Sequence, residues 1–216
     1  MKRSPAEILN EYGPFPGIES VHGVSYDGRQ VWLAAGDKLD ALDPADGKLV
    51  RSIQAGARAG TAFDGRHLYQ IFEGRIQKID PESGQVLATI PAPGEGCSGM
   101  AWGEGSLWVA QYEERKIHQI DPGTGAILRS IESSRHVTGV TWVDGQLWHG
   151  TWEDDDESEL RRIDPRTGEA LESLEMPPGV NVSGLESDGG ERFFCGGGRT
   201  GKLRIIRRPR RSATAA

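Results

Sequence analysis

Apolar residues along this chain come in short bursts of strand length, with no stripe of helical period between them. VWLAA, LYQIF, LWVAQ, LWHGT and FFCGG are five such runs. Each follows a segment built on a glycine and a turn: HGVSYDG from His22, AGTAFDG from Ala59, SGMAWGEG from Ser98, TGVTWVDG from Thr138 and SGLESDGG from Ser183. Each is followed by a stretch in which apolar and polar residues alternate, KLDALD, RIQKID, KIHQID, ELRRID and KLRIIR, the period of a strand with two unlike faces. Asp-Pro-x-x-Gly then appears at Asp43, Asp80, Asp121 and Asp164, leading into KLVRSI, QVLATI, AILRSI and EALESL. Aspartate, proline and glycine in that order suit a tight hairpin turn whose glycine takes a positive φ.

The repeat has a period of about 40 residues, the length of one four-stranded propeller blade. Five copies predict an all-β fold, a single five-bladed β-propeller over residues 1–211. Its blades fall at about 19–56, 57–95, 96–134, 135–179 and 180–207, with a flexible tail at 212–216. The fifth copy ends in IIRRPRRSATAA and has no fourth strand. Glu7–Tyr12, EILNEY, superposes on AILRSI and is expected to complete the last blade. Ring closure of this kind joins the termini and leaves only short edges open.

Composition narrows the function classes. The formal net charge of -7 lacks the basic face that nucleic-acid phosphates require. No apolar run is long enough to cross a bilayer or to serve as a secretory signal. Two cysteines, Cys97 and Cys195, do not make a disulfide framework. The expectation is a cytoplasmic protein with reduced thiols, meeting a small-molecule or peptide substrate. Nucleic acid and membrane are not expected as partners, and the oligomeric state is left open.

Blade topology ranks the chemistry-bearing residues. Successive connections alternate between two faces, so the segments before each glycine and the loops between second and third strands share one face, the top. The Asp-Pro-x-x-Gly turns lie on the other. A top-centre pocket would be lined by residues just before the repeat glycines. One residue before them stand His22, Ala59, Ser98, Thr138 and Ser183; two before, Val21, Arg58, Cys97, Val137 and Val182; three before, Ser20, Ala57, Gly96, His136 and Asn181. Folding needs no such asymmetry, so the odd members are the candidates. His22 and His136 are proton carriers, and Arg58, Cys97 and Asn181 are substrate contacts. Each has a structural alternative: backbone bonding for the histidines, a brace for Arg58, core packing for Cys97, a turn for Asn181. No metal-ligand spacing joins them, and no cofactor is expected. Trp152, outside the aromatic repeat, stands near the top with Gln111, Tyr112 and Glu73 as counterparts, and could form a stacking wall. The acidic run 153–157 reads as a solvated loop or a cation lure. His118 is expected on a solvent face, His149 in a packing role or reaching an interior site, and Arg204, Arg207, Arg208, Arg210 and Arg211 in a frayed end open to the acidic surface of another subunit. The aromatics Trp32, Tyr69, Trp108, Trp148 and Phe194, and Tyr26, Phe63, Trp102 and Trp142, recur once per blade as core between blades.

Gly-x-x-(Tyr/Trp)-x-Asp-Gly, then Leu-Trp, then Ile-Asp-Pro-x-Thr-Gly, over nearly the whole chain, resembles the glutaminyl cyclase (glutamine cyclotransferase) five-bladed propellers. It is also similar to streptogramin B lyase-type propellers. The fourth blade, TGVTWVDGQLWHGTWEDDDESELRRIDPRTGEAL, carries most of the likeness. The resemblance implies a transferase or lyase pocket at the top centre, with Trp152 as a wall. The family's glutamine or glutamate before the first-blade glycine is His22 here, and Gly96-Cys97-Ser98-Gly99 lacks the family's third-blade glutamate. Two readings follow: a cyclase-like enzyme using His22 as acid/base and Arg58 as anchor, or a non-catalytic propeller that binds a ligand or protein on its top face.

Overall fold

In the computed structural model, which describes residues 1–153 and 157–210, 21 strands form five sheets around one axis. Two come first, β1 (Lys2–Pro5) and β2 (Ile8–Tyr12). Blade one is β3 (Gly23–Tyr26), β4 (Val31–Ala34), β5 (Gly36–Leu42) and β6 (Leu49–Ala57). Blade two is β7 (Thr61–Phe63), β8 (Leu68–Phe72), β9 (Arg75–Ile79) and β10 (Val86–Pro91). Blade three is β11 (Cys97–Gly103), β12 (Ser106–Gln111), β13 (Lys116–Ile120) and β14 (Ile127–Glu132). Blade four is β15 (Val137–Val143), β16 (Gln146–Trp152), β17 (Ser158–Ile163) and β18 (Ala170–Glu175). Blade five is β19 (Leu185–Ser187), β20 (Arg192–Gly196) and β21 (Leu203–Arg207), completed by β2, whose register sets Ile8 against Ile206 and Tyr12 against Leu203. The five-bladed fold and its closure by the N-terminal strand stand as the repeat predicts.

The first strand of the chain adds something the repeat does not encode. β1 pairs in parallel with β18, Lys2 opposite Glu172 and Pro5 opposite Glu175, so blade four has five strands. Lys2 and Arg3 reach Glu172 and Glu175 at 3.3 and 3.7 Å. The first twelve residues therefore run along the outer edges of two neighbouring blades.

The four bottom turns share one construction. Gly47, Gly84, Gly125 and Gly168 have φ between 72° and 77°, and each donates its N–H to the carbonyl of the aspartate four residues earlier, at 2.8–2.9 Å. Each aspartate carboxyl accepts the N–H two residues on.

Between blades, the second-strand aromatic of one sheet meets the first-strand aromatic of the next. Tyr69 stacks on Trp102 at 5.9 Å, Trp108 on Trp142 at 5.1 Å, and Phe194 tilts against Tyr26 at 5.3 Å. Each such pair adds about 0.5–1.5 kcal/mol beyond the area it buries. Their polar ends are matched too: Trp32 Nε1 donates to Asp27, Tyr69 Oη to Asp64, and Trp108 Nε1 to the Gly103 carbonyl.

Nearer the axis the repeat glycines Gly23, Gly60, Gly99, Gly139 and Gly184 close the ring. A Cβ on any of them would lie 2.3–2.7 Å from an atom of the next blade's inner strand. Only a residue without a side chain permits that approach.

Two expectations are corrected here. His118 is not on a solvent face but 5% exposed, because neighbouring blades cover both faces of each sheet. Its Nε2 donates to Gln111 Oε1 at 2.7 Å and its Nδ1 accepts from Ser130 Oγ at 2.7 Å; burial holds its pKa below the usual histidine value. The arginines near the end are anchored, not frayed. Arg204 is buried in β21 and pairs with Glu11, Arg207 with Glu7, Arg208 with Asp144 and Arg210 with Glu191. Arg211, the tail 212–216 and Asp154–Asp156 of the acidic run lie outside the described residues.

Candidate functional site

The segments entering β7 and β11, with the β8–β9 turn, bring part of the candidate set to one place. A cavity of about 520 Å³ opens on the top between blades two and three, with Arg58, Phe72, Glu73, Glu95 and Cys97 in its wall. Arg58 precedes β7 and is exposed, Glu73 sits at the β8–β9 turn with φ 50°, and Cys97 opens β11. Glu95, on the loop before β11, joins them without having been singled out in the sequence, since it lies one position beyond the three columns that precede each repeat glycine.

His22 lies one blade away, held by its N–H to the Ala34 carbonyl at 2.8 Å. It is half-buried. Burial first, and the nearby Arg58 guanidinium second, lower its pKa, so it is neutral at pH 7 and can accept a proton. Cys97 is unlike a nucleophile: burial pushes its thiol up to about 11, and its Sγ donates to the Gly94 carbonyl at 3.2 Å. The thiolate that attack requires is scarce at neutral pH.

The other candidates lie elsewhere. His136 stacks on Tyr112 at 4.6 Å, and Tyr112 meets Trp152 at 6.4 Å. His136 Nδ1 donates to the Tyr112 carbonyl, leaving Nε2 to accept from Arg115 at 3.1 Å; its backbone N–H goes to Glu153. With Trp152 at 37% exposure, these rings make an aromatic shelf at the top of blades three and four. Gln111 is buried and builds the blade-three scaffold, donating to the Glu95 carbonyl at 2.8 Å besides accepting from His118. Asn181 is half-buried; its carbonyl accepts from Arg204 at 3.3 Å, and its Oδ1 is buried with no hydrogen-bond partner. His149 is buried, bonded to the Gly150 carbonyl and lowered by burial to about 4, and it also helps to wall a cavity of about 320 Å³ with Ser134 and Arg161.

Two further polar groups were not anticipated. Glu186 is half-buried, and desolvation pushes its carboxyl up to about 7. A comparison of the second residue after each repeat glycine, Ser25, Ala62, Ala101, Thr141 and Glu186, would have found it. On the rim of blade four, Glu159 joins Arg161 at 2.6 Å and Arg135 at 3.1 Å, beside a second cavity of about 520 Å³ that Arg3 of β1 helps to wall. Among the described residues no group of three or more His, Cys, Asp and Glu side chains is placed to hold a metal ion.

No family model matches this sequence, and no curated protein matches it. Solved structures do resemble it. The glutaminyl cyclase of Myxococcus xanthus superposes with a TM-score of 0.79 at 19% identity, covering 95% of this chain and 97% of that one. The β-propeller domain of Cps50 (Swd1) from Myceliophteria thermophila gives 0.56 at 11%, covering 95% and 100%. The WD40 β-propeller domain of Doa1 gives 0.56 at 15%, and 88% of this chain spans 64% of that one. At these identities the likeness establishes the five-bladed propeller architecture, which carries many chemistries.

Proposed function

We propose that this propeller is a cyclase-like enzyme acting on a small polar substrate in the top cavity beside His22. The observation that carries the reading is convergence: Arg58 and Glu73 from two loops of blade two and Cys97 from blade three share one cavity wall, and Arg58 is near enough to His22 to lower its proton affinity. In cyclisation of an N-terminal glutamine, neutral His22 takes a proton from the α-amine as its nitrogen bonds to the side-chain carbonyl carbon. Arg58 meets the oxygen on which negative charge gathers. The departing ammonia recovers a proton from His22 as the C–N bond breaks. Glu73 and Glu95 at the rim attract the protonated amine, which gives up one proton to solvent before it attacks, and Cys97 is a neutral wall.

The test is mass-spectrometric detection of ammonia loss from Gln-initiated peptides, with His22→Gln and Arg58→Ala beside the parent protein. Turnover by the parent and a loss of about 10²-fold or more in each variant supports the reading. A folded parent protein without turnover removes glutamine cyclisation.

The Tyr112–His136–Trp152 shelf favours a second reading, a peptide-binding propeller without chemistry. In that case peptides bind without being changed, and Trp152→Ala weakens binding while Arg58→Ala does not.

A further inference from the structure

The cavity that His149 helps to wall stands apart from the top pocket and takes no part in the chemistry proposed there. It lies in the seam between blades three and four, between residues 132–134 at the end of β14 and residues 167–170 at the bottom turn of blade four. Elsewhere that seam is apolar, filled by Ile117, Ile131, Val140 and Leu147. A cleft of about 230 Å³ opens at the corresponding place between blades one and two, but its walls come only from the fourth strand of one blade and the bottom turn of the next. The cavity between blades three and four goes deeper. At about 320 Å³ it reaches Arg161 and Ile163 on the third strand and His149 on the second.

Two polar groups meet at its floor. His149 and Arg161 are cross-strand partners in β16 and β17, so their side chains rise from one face of the sheet, side by side. His149 is only 1% exposed. Its Nδ1 lies 3.1 Å from the Gly150 carbonyl oxygen, and because a carbonyl can only accept, the proton of the neutral ring is on Nδ1. Nε2 is therefore an acceptor, and it has no hydrogen-bond partner among the described residues. Such a group in an apolar seam is costly unless something donates to it. Blade three shows the satisfied alternative, where His118 uses both ring nitrogens on Gln111 and Ser130.

Arg161 is the complement. Its Nε and one terminal nitrogen meet Glu159 at 2.8 and 2.6 Å, and the other terminal nitrogen donates to Ser134 Oγ at 2.9 Å. The charge is matched, yet the guanidinium still has N–H donors to spare. Charge then narrows what fits. A carboxylate would find the guanidinium already neutralised and would pass the exposed Glu132 and Glu169 in the cavity wall. A cation would be set against Arg161. An uncharged group with an N–H donor beside a carbonyl acceptor suits both residues at once.

We infer that the seam cavity between blades three and four is a binding site for an uncharged primary carboxamide, whose oxygen accepts from Arg161 and whose N–H donates to His149 Nε2. Free amides and the side chains of glutamine and asparagine share this group.

Nitrogen-15 NMR of the full chain, read at the imidazole and guanidinium nitrogens, tests the site with propionamide, sodium propionate and N,N-dimethylpropionamide as probes. Before any probe is added, His149 Nε2 should resonate as an unprotonated nitrogen. Propionamide should shift His149 Nε2 and the Arg161 nitrogens to saturation. Propionate and the dimethylamide, which lack the N–H donor, should bind at least about tenfold more weakly. His149→Phe, which keeps a ring but no acceptor, should weaken propionamide by a similar factor. A free peptide, acetyl-Ala-Gln-Ala-dimethylamide, binding more tightly than propionamide would mark a side chain as the natural occupant, and the reverse order a free amide. A protonated Nε2, no saturable shift with propionamide, equal binding of the three probes, or undiminished binding in His149→Phe would overturn the proposal. If that variant fails to fold, the probe series on the parent protein still decides.

Discussion

The residues that carry chemistry are set apart by what surrounds them more than by their type. His22 stands just before an inner strand and His149 within a second one, yet His149 is enclosed and held neutral far down, to about 4, while His22 keeps one side open beside Arg58. If His22 is the base, turnover should stay level as pH falls from neutrality through the usual histidine range, then decline at lower pH as His22 takes up its proton. A kcat/KM profile measures this, and a decline centred at or above the ordinary histidine value would speak against His22. The cysteines make a sharper contrast. With Cys97 raised to about 11 and Cys195 raised further by full burial, intact-mass analysis after mild iodoacetamide treatment near neutral pH should find neither alkylated in the folded protein and both in the denatured one. Arg58, Cys97 and His22 were legible as candidates because each is the odd member of a repeat column. Glu95 was not, because it stands four residues before Gly99, one position beyond those columns.

At the scale of elements, legibility followed the repeat closely. The hairpin turns, the aromatic seams and the glycines all recur in register, so one blade's pattern tests another's. The strictest demand is at the glycine ring. Gly99→Ala sets a methyl 2.3 Å from the Thr138 carbonyl, a backbone atom that cannot swing aside, and should destabilise the fold by about 2–4 kcal/mol, as denaturant unfolding would register. A cost below about 0.5 kcal/mol would mean that the inner strands are not so closely apposed. What the pattern hid was β1. KRSP has no alternation and ends in proline, and its parallel pairing depends on an edge supplied by blade four, far along the chain. The solvent face assigned to His118 failed for a related reason: period-two alternation separates two faces but does not say whether water or another blade covers them.

For the molecule as a whole, the five sheets are tied into a ring by chain ends that meet. β2 completes blade five, and the pairs Glu11–Arg204 and Glu7–Arg207 hold it there. That closure gives the top face a fixed geometry, which is what allows residues from different blades to act on one molecule. It also explains why the architecture was readable from sequence while the chemistry was only partly so: repetition records how blades stack, whereas a site is written in departures from repetition, and a polar residue such as Gln111 can bond into the scaffold instead. The proposed chemistry requires substrate to bind in the cavity between blades two and three. A crystal structure of the protein soaked with a slowly turned-over Gln-initiated dipeptide tests this directly. The ligand is expected between Arg58 and Glu73, within reach of His22; the dipeptide seated only on the Tyr112–Trp152 shelf would be the contrary result.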